Sequence, residues 1–325
     1  MRIAIVDTVN QDIGLKLLFP ESVYYIHNSE NCTINNRIVS YTRYNFSPKT
    51  DWTDINDSNY DYLFIILACY NILPNTPYYT KNVKNIFDKL INIINNNNFK
   101  FVGLFDNFDF DYDPNDFINN TKINIFFKRY YNKTKSYKEN VVPFPFIMFG
   151  EKSLIEKCDT ELVCESEYFK EKNHRIFFSG ALFTDHYNIK RDRLRIYNKI
   201  KNIIYNPGFQ NYNNFINIMR DSKYSLDLLG VGDPNKRTFE ILLSGSLMIS
   251  EYNDLLWPFD NNETFSKETI FKNENDFFYV INELSKDKDL YLKCLKNQYT
   301  IVKKYFNKDW LRNYITKKIQ NYFGK

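Results

Sequence analysis

Short unbroken apolar runs at Arg2–Asp7, Tyr62–Ala68 and Phe101–Phe105 read as buried strands. Between them, Val83, Ile86, Phe87, Leu90, Ile91 and Ile94 recur at helical spacing, and the asparagine run Asn95–Asn98 ends that helix. A polar turn at Asn10–Gly14 leads into the helix-like GLKLLF, so the chain opens as a Rossmann-like domain commonly does. Alternation of strand and helix predicts an α/β fold with parallel sheets. Ile123–Phe127 is the next strand. Val141–Phe149 carries Pro143 and Pro145 in an apolar run, which makes it a poor central strand and a good linker.

The second half repeats the pattern after Glu151–Lys172, a charged stretch with no clean period where a domain boundary is expected. Arg175–Phe178, Ile203–Asn206, Tyr224–Leu229 and Ser246–Ser250 read as strands, and Asn214–Arg220, Glu274–Leu284 and most of Asp287–Phe323 as helical. The expected division is 1–160, 161–305 and a terminal helix over 306–325. The most informative stretch is Tyr224–Phe259. Gly230, Gly232, Asp233, Pro234 and Asn235 break a strand. Asp233 or Asn235 can cap the helix bearing Phe239, Leu242 and Leu243, and Gly245 stops it. A strand–helix–strand unit of this kind makes the two strands parallel and the crossover right-handed.

Charge inside that unit singles it out. Lys236 and Arg237 occupy the first helical turn, where the macrodipole disfavours cations. With the glycine-rich turn they form a site for an anionic group such as a phosphate. Glu240 stands one turn deeper on roughly the same face, where it can accept hydrogen bonds from ribose hydroxyls or pair with Lys236 or Arg237. Gly180 follows the first strand of the second half, and Lys190, Arg191, Arg193 and Arg195 open the expected next helix, with His186 in the loop before it. In the first half, Asp106, Asp109, Asp111 and Asp113 follow a strand end, the usual ligand side of an open α/β sheet. Asp106 is nearest that end and is the candidate general base. Lys128 and Arg129 follow another strand, and at least one is expected to be solvated.

The run R-x-F-E-x-L-x-S-G-S-L, followed by W-P-F, resembles the nucleotide-sugar half of GT-B glycosyltransferases, in particular the exostosin-like and CgeB-like families. The resemblance spans about Arg175 to Phe259. It implies two Rossmann-like parallel-sheet domains facing across a cleft, with a C-terminal helix returning to the first. It also implies hexosyl or pentosyl transfer from a nucleotide sugar, a UDP-sugar by likeness to exostosins, to a hydroxyl of a glycan or glycoconjugate. Carried over by position, Glu240 binds the donor ribose, and Arg237, Lys236, the Gly180 loop and either Arg191 or Arg193 meet the diphosphate. No bound metal and no other cofactor are implied. A second glutamate common in such enzymes falls on Gly232, which leaves the stereochemistry open. A non-catalytic nucleotide-sugar-binding relic and a nucleotide-sugar epimerase share the architecture.

Composition narrows the rest. The 325 residues are long enough for two domains, and 43% hydrophobic with 18% aromatic residues excludes a disordered chain. Forty-three Lys and Arg against 39 Asp and Glu is too balanced for an electrostatic nucleic-acid binder. Five scattered cysteines and three histidines have no metal-ligand spacing. No run approaches the length needed to span a bilayer. A cytoplasmic protein is expected, at most peripheral at a membrane surface.

Overall fold

A computed structural model describes residues 1–8, 14–26, 49–67, 81–106, 114, 118, 121–145, 162–180, 182, 185–186, 189–190, 193–208, 210–230, 234–260 and 263–324. The chain divides into two compact units. One comprises Met1–Glu156, Leu256–Pro258 and Lys308–Lys325; the other comprises Lys157–Leu255 and Phe259–Asn307.

In the first unit the chain runs β1 (Ile3–Asp7), α1 (Gly14–Leu18), β2 (Val23–Ile26), β3 (Tyr62–Leu67), α2 (Lys81–Asn96), β4 (Phe101–Asp106), β5 (Ile125–Lys128) and β6 (Val141–Pro143). These strands form one parallel sheet in the order β2-β1-β3-β4-β5-β6. Every residue of β1 and β4 is buried, as expected when both faces of a parallel sheet are covered. Phe105 and Phe127 stack at 4.4 Å on neighbouring strands, and Phe144 meets both edge-on. Val141–Pro143 departs from the linker expectation. It is the edge strand, where the missing Pro143 N–H costs the sheet little, and the Pro143 carbonyl accepts from Tyr314 Oη at 2.7 Å. Tyr314 belongs to the C-terminal helix (Lys308–Phe323), which buries Leu311, Ile315 and Ile319 at four-residue spacing. That helix returns to the first unit, where Arg312 pairs with Glu21 at 2.9 Å and Tyr322 Oη accepts from Asn124 at 2.7 Å.

In the second unit come β7 (Asn173–Phe177), β8 (Asp185–His186), β9 (Ile189–Lys190), α3 (Arg193–Ile200), β10 (Ile204–Tyr205), α4 (Tyr212–Arg220), β11 (Ser222–Asp227), α5 (Lys236–Ser244), β12 (Leu247–Glu251), β13 (Ile270–Phe271), α6 (Glu274–Lys286) and α7 (Lys288–Tyr305). The main sheet is parallel, in the order β10-β7-β11-β12-β13. Lys190 lies in β9, paired antiparallel with β8, and not in the helix that follows, which begins at Arg193. The helical C-terminal stretch is two helices, with Phe306 closing α7 and Lys308 opening the separate terminal helix.

The strand–helix–strand unit forms as expected from its turn chemistry. Asn235 caps α5 by accepting from Arg237 N at 2.9 Å, and Gly245 ends it at φ 80°. A side chain on Gly245 would also meet Tyr168 Cα at 3.0 Å. Thr238 through Ser244 are all buried, so α5 is enclosed and not merely amphipathic. Its carboxyl end is held by a buried polar network. Tyr168 Oη donates to Leu242 O at 3.0 Å and accepts from Gln298 Nε2 at 2.7 Å. Gln298 also donates to Ser246 O at 2.8 Å and accepts from Met248 N at 2.9 Å.

Gln298→Leu leaves a buried N–H and a buried carbonyl without these partners. It is expected to lower the unfolding free energy by about 3 kcal/mol, read from urea denaturation. A change within about 0.5 kcal/mol, the scale of an ordinary surface substitution, would show that the network contributes nothing net.

Candidate active site

Both sheets place their first strand inside the order, with the second strand on one side and the third on the other. The order reverses between β1 and β3 in the first unit and between β7 and β11 in the second. In open α/β sheets the carboxyl ends of the strands flanking that point are where ligands bind. In the second unit these ends lead to Phe178–Gly180 and Leu228–Gly230.

An arginine lies against each glycine. The guanidinium of Arg237 covers Gly180 so closely that a β-carbon there would fall 1.6 Å from Nη2, and it sits 4.9 Å above the Phe178 ring. Arg193 covers Gly230, where a β-carbon would fall 1.9 Å from Nη2, and its Nε donates to Leu229 O at 3.0 Å. Neither glycine has a backbone conformation that requires it; each leaves the space that a guanidinium occupies. Leu229 N donates in turn to Glu251 Oε2 at 3.0 Å, so a carboxylate fixes the loop from β12. Thr238 Oγ1 donates to Asp227 Oδ2 at 2.8 Å inside the protein, which ties the first turn of α5 to the end of β11.

The first turn of α5 has no acidic residue and carries Lys236 and Arg237. Glu240 is 7% exposed and lies 3.6 Å from Lys236 Nζ, whose side chain is 56% exposed. The ion pair foreseen as one reading of these residues is therefore formed. It does not account for the arrangement on stability grounds. Exposure on the lysine side limits the pair to about 0–1 kcal/mol. The lysine precedes the glutamate, the less favourable order at this spacing, and both cations oppose the helix dipole. Two cations at a helix start and a nearly buried carboxylate below them suit an anionic, hydroxyl-bearing ligand better than they suit the helix.

Of the residues singled out in the sequence, Gly180, Arg193, Lys236, Arg237 and Glu240 share this edge of the second unit. Arg191 lies outside the described residues, as do Asp109, Asp111, Asp113, Gly232 and Asp233. Asp106 belongs to the first unit, at the end of β4, with its side chain fully buried 3.7 Å from Lys128 Nζ. The expected solvation of Lys128 or Arg129 does not occur: Lys128 is 0% and Arg129 2% exposed. Lys128 ends β5 beside Asp106, and Arg129 follows it inside the protein. Nearby, Asp7 ends β1 and accepts from Tyr24 Oη at 2.7 Å. Phe178, Asp227 and Thr238 carry no sequence mark of their own; the glycine after each strand is the one signal that points toward them. Among the described residues, no three His, Cys, Asp or Glu side chains form a metal-holding group, and no helix is long and apolar enough to cross a membrane.

No family model matches the sequence, and no curated protein matches it. Solved structures do match. A β-glucosyltransferase described as a DNA-modifying enzyme aligns over 98% of this chain and 100% of its own at 14% identity, with a TM-score of 0.53. HepE from Anabaena, in complex with UDP-glucose, aligns over 99% of this chain and 100% of its own at 8% identity, TM-score 0.56. An O-GlcNAc transferase mutant from Thermobaculum terrenum aligns over 99% of this chain and 67% of its own at 9% identity, TM-score 0.55. The fold is GT-B. In GT-B terms the two units described above are its two Rossmann-like domains.

Gly180→Ala and Gly230→Ala should each displace the covering guanidinium. By titration calorimetry each is expected to weaken pyrophosphate binding by roughly tenfold or more, about 1.4 kcal/mol. Unchanged affinity in a folded variant would remove that arginine from the anion site.

Proposed function

We propose that this protein is a glycosyltransferase that moves a sugar from a UDP-sugar to an acceptor hydroxyl on a glycan or glycoconjugate. The observation that carries the reading is the pairing of Arg237 with Gly180 and Arg193 with Gly230 at the strand-order reversal, above a helix whose buried Glu240 lies one turn in. The neighbours described with UDP-glucose add support for the donor class.

In this reading the second domain holds the donor. Arg237, Lys236 and Arg193 or Arg191 face the diphosphate, and Glu240 accepts hydrogen bonds from the ribose hydroxyls. Asp106 of the first domain takes the acceptor proton if the reaction inverts. The acceptor oxygen then forms its bond to the anomeric carbon as the bond to the β-phosphate oxygen breaks, and UDP leaves with the electron pair. Preorganised cations are most effective there, where negative charge grows. They do the work that a divalent ion would do, so transfer is expected to persist in EDTA. The motif likeness to exostosin-like and CgeB-like enzymes belongs to the same proposal. A DNA acceptor is the reading that the DNA-modifying neighbour would suggest. The near balance of 43 basic and 39 acidic residues favours the glycan.

The test is a thermal-shift series with UDP, GDP, CMP and dTDP, repeated on Glu240→Ala. UDP at a hundred times its Kd should stabilise the wild type by about 2.7 kcal/mol, and the shift should vanish in the variant. If no nucleotide moves the melting temperature at millimolar concentration, the donor site is wrong. Asp106→Asn should keep the UDP shift and lose on the order of 10²–10⁴ in kcat. Wild-type kcat in that variant would remove Asp106 from the chemistry.

A further inference from the structure

We infer that Lys128 is a positioning residue for Asp106: its ammonium, buried 3.7 Å from Asp106 Oδ2, holds that carboxylate ionised and in place. The inference deepens the proposed function and rests on it, because it takes Asp106 as the base.

The juxtaposition follows from register. Gly103, Leu104 and Phe105 of β4 stand opposite Ile125, Phe126 and Phe127 of β5, so the next step along both strands sets Asp106 beside Lys128. On the other side Asp106 stands opposite Leu67 of β3, which is apolar and fully buried. Asp7 pairs with Ile66, which pairs with Phe105, so it belongs to the alternate face and engages Tyr24. Arg129 follows Lys128 in the chain and is buried too, and the Tyr137 ring lies 5.9 Å from Lys128 Nζ. Lys128 therefore faces Asp106 from an adjacent strand.

A general base has to be ionised to accept a proton. A carboxylate taken out of water without a counter-charge tends to neutralise instead. Asp106 has no exposed side-chain surface, so a buried cation beside it favours the ionised form. Stability does not explain the pair equally well, since a buried ion pair is often no better than an apolar pair of the same volume. A chain that needed only a packed strand end could have kept the aromatic and aliphatic pattern of Phe105 and Phe127 for one more residue.

The experiment uses the full chain and UDP-glucose, with water as acceptor, and follows UDP release against pH. Lys128→Met is expected to lower kcat at least tenfold below neutral pH and to move the acid limb of the profile upward by about one pH unit or more. The KM for UDP-glucose should stay within about twofold. Lys128→Arg should return the limb towards the wild type. A second readout is independent of turnover. The Asp106 carboxyl carbon resonance, identified as the one lost in Asp106→Asn, should report an ionised group throughout the neutral range in the wild type. It should titrate at higher pH in Lys128→Met. A wild-type Asp106 that is protonated at pH 7 overturns the inference even if Lys128→Met does not fold, and so does a folded Lys128→Met whose limb and resonance both stay put. A wild type that no nucleotide stabilises in the thermal-shift series, yet whose Asp106 titrates as expected, sinks the donor-site reading and leaves the pairing of Asp106 with Lys128 standing.

Discussion

A parallel sheet covered on both faces has no solvated side on which to carry polar groups. Along β1, β4 and β5 the interior positions are aliphatic or aromatic apart from Gly103, and the polar residues come at the ends: Asp7, Asp106 and Lys128. In the second sheet Asp227 closes β11 and Glu251 closes β12, while the buried Ser225 inside β11 is satisfied by donating to Ser246 Oγ at 2.8 Å. Since the strands are parallel, these ends all lie at one edge of each sheet. The buried carboxylates Asp7, Asp106 and Asp227 all fall there, at strand ends and not along the strands. The reversal of strand order then opens room between two neighbouring ends, and in the second unit both flanking loops carry a glycine.

What fills that room in the second unit is cationic. A guanidinium laid flat on a glycine loses little freedom, because the backbone below and, for Arg237, the Phe178 ring beside it define its plane. The Thr238–Asp227 hydrogen bond and the Asn235 cap fix the helix start that carries Arg237. The Tyr168–Gln298 network fixes the far end of the same helix. α5 is thus pinned at both termini and buried between them, so its charged first turn is a rigid feature of the unit. Preorganisation of this kind is what lets a few cations act on a leaving diphosphate without first paying an ordering entropy.

Much of this was legible in the chain. Apolar runs such as those in β3 and β4 and the helical spacing over Ile86–Ile94 carry their own period, so these elements were readable to within a few residues. The α5 unit was readable in more detail, since its cap, its glycine stop and the offset from Lys236 to Glu240 are all local. Long-range partners were not. Nothing near Gly180 says that Arg237 will lie on it, and nothing near Arg193 says that it will cover Gly230. The burial of Lys128 and Arg129 was missed for the same reason: as a sequence they are two cations after a strand, and only the register with β4 brings Lys128 to a carboxylate. Val141–Pro143 was misread because proline excludes a central strand but leaves an edge strand open, and which strand is the edge is a property of the whole sheet.

The two units handle their charges in opposite ways, and the difference follows from what each charge has to meet. Lys236 remains largely exposed, 3.6 Å from a nearly buried Glu240, so in the proposed reading a ligand phosphate would compete for it and release the glutamate. Asp106 and Lys128 are enclosed together, where each holds the other in its charged form. A cation that must bind an incoming dianion is useful when its resting partner is weak. A carboxylate that must stay ionised inside the protein is useful when its partner is permanent. The exposed pair and the buried pair are therefore solutions to two different electrostatic problems, one of exchange and one of retention.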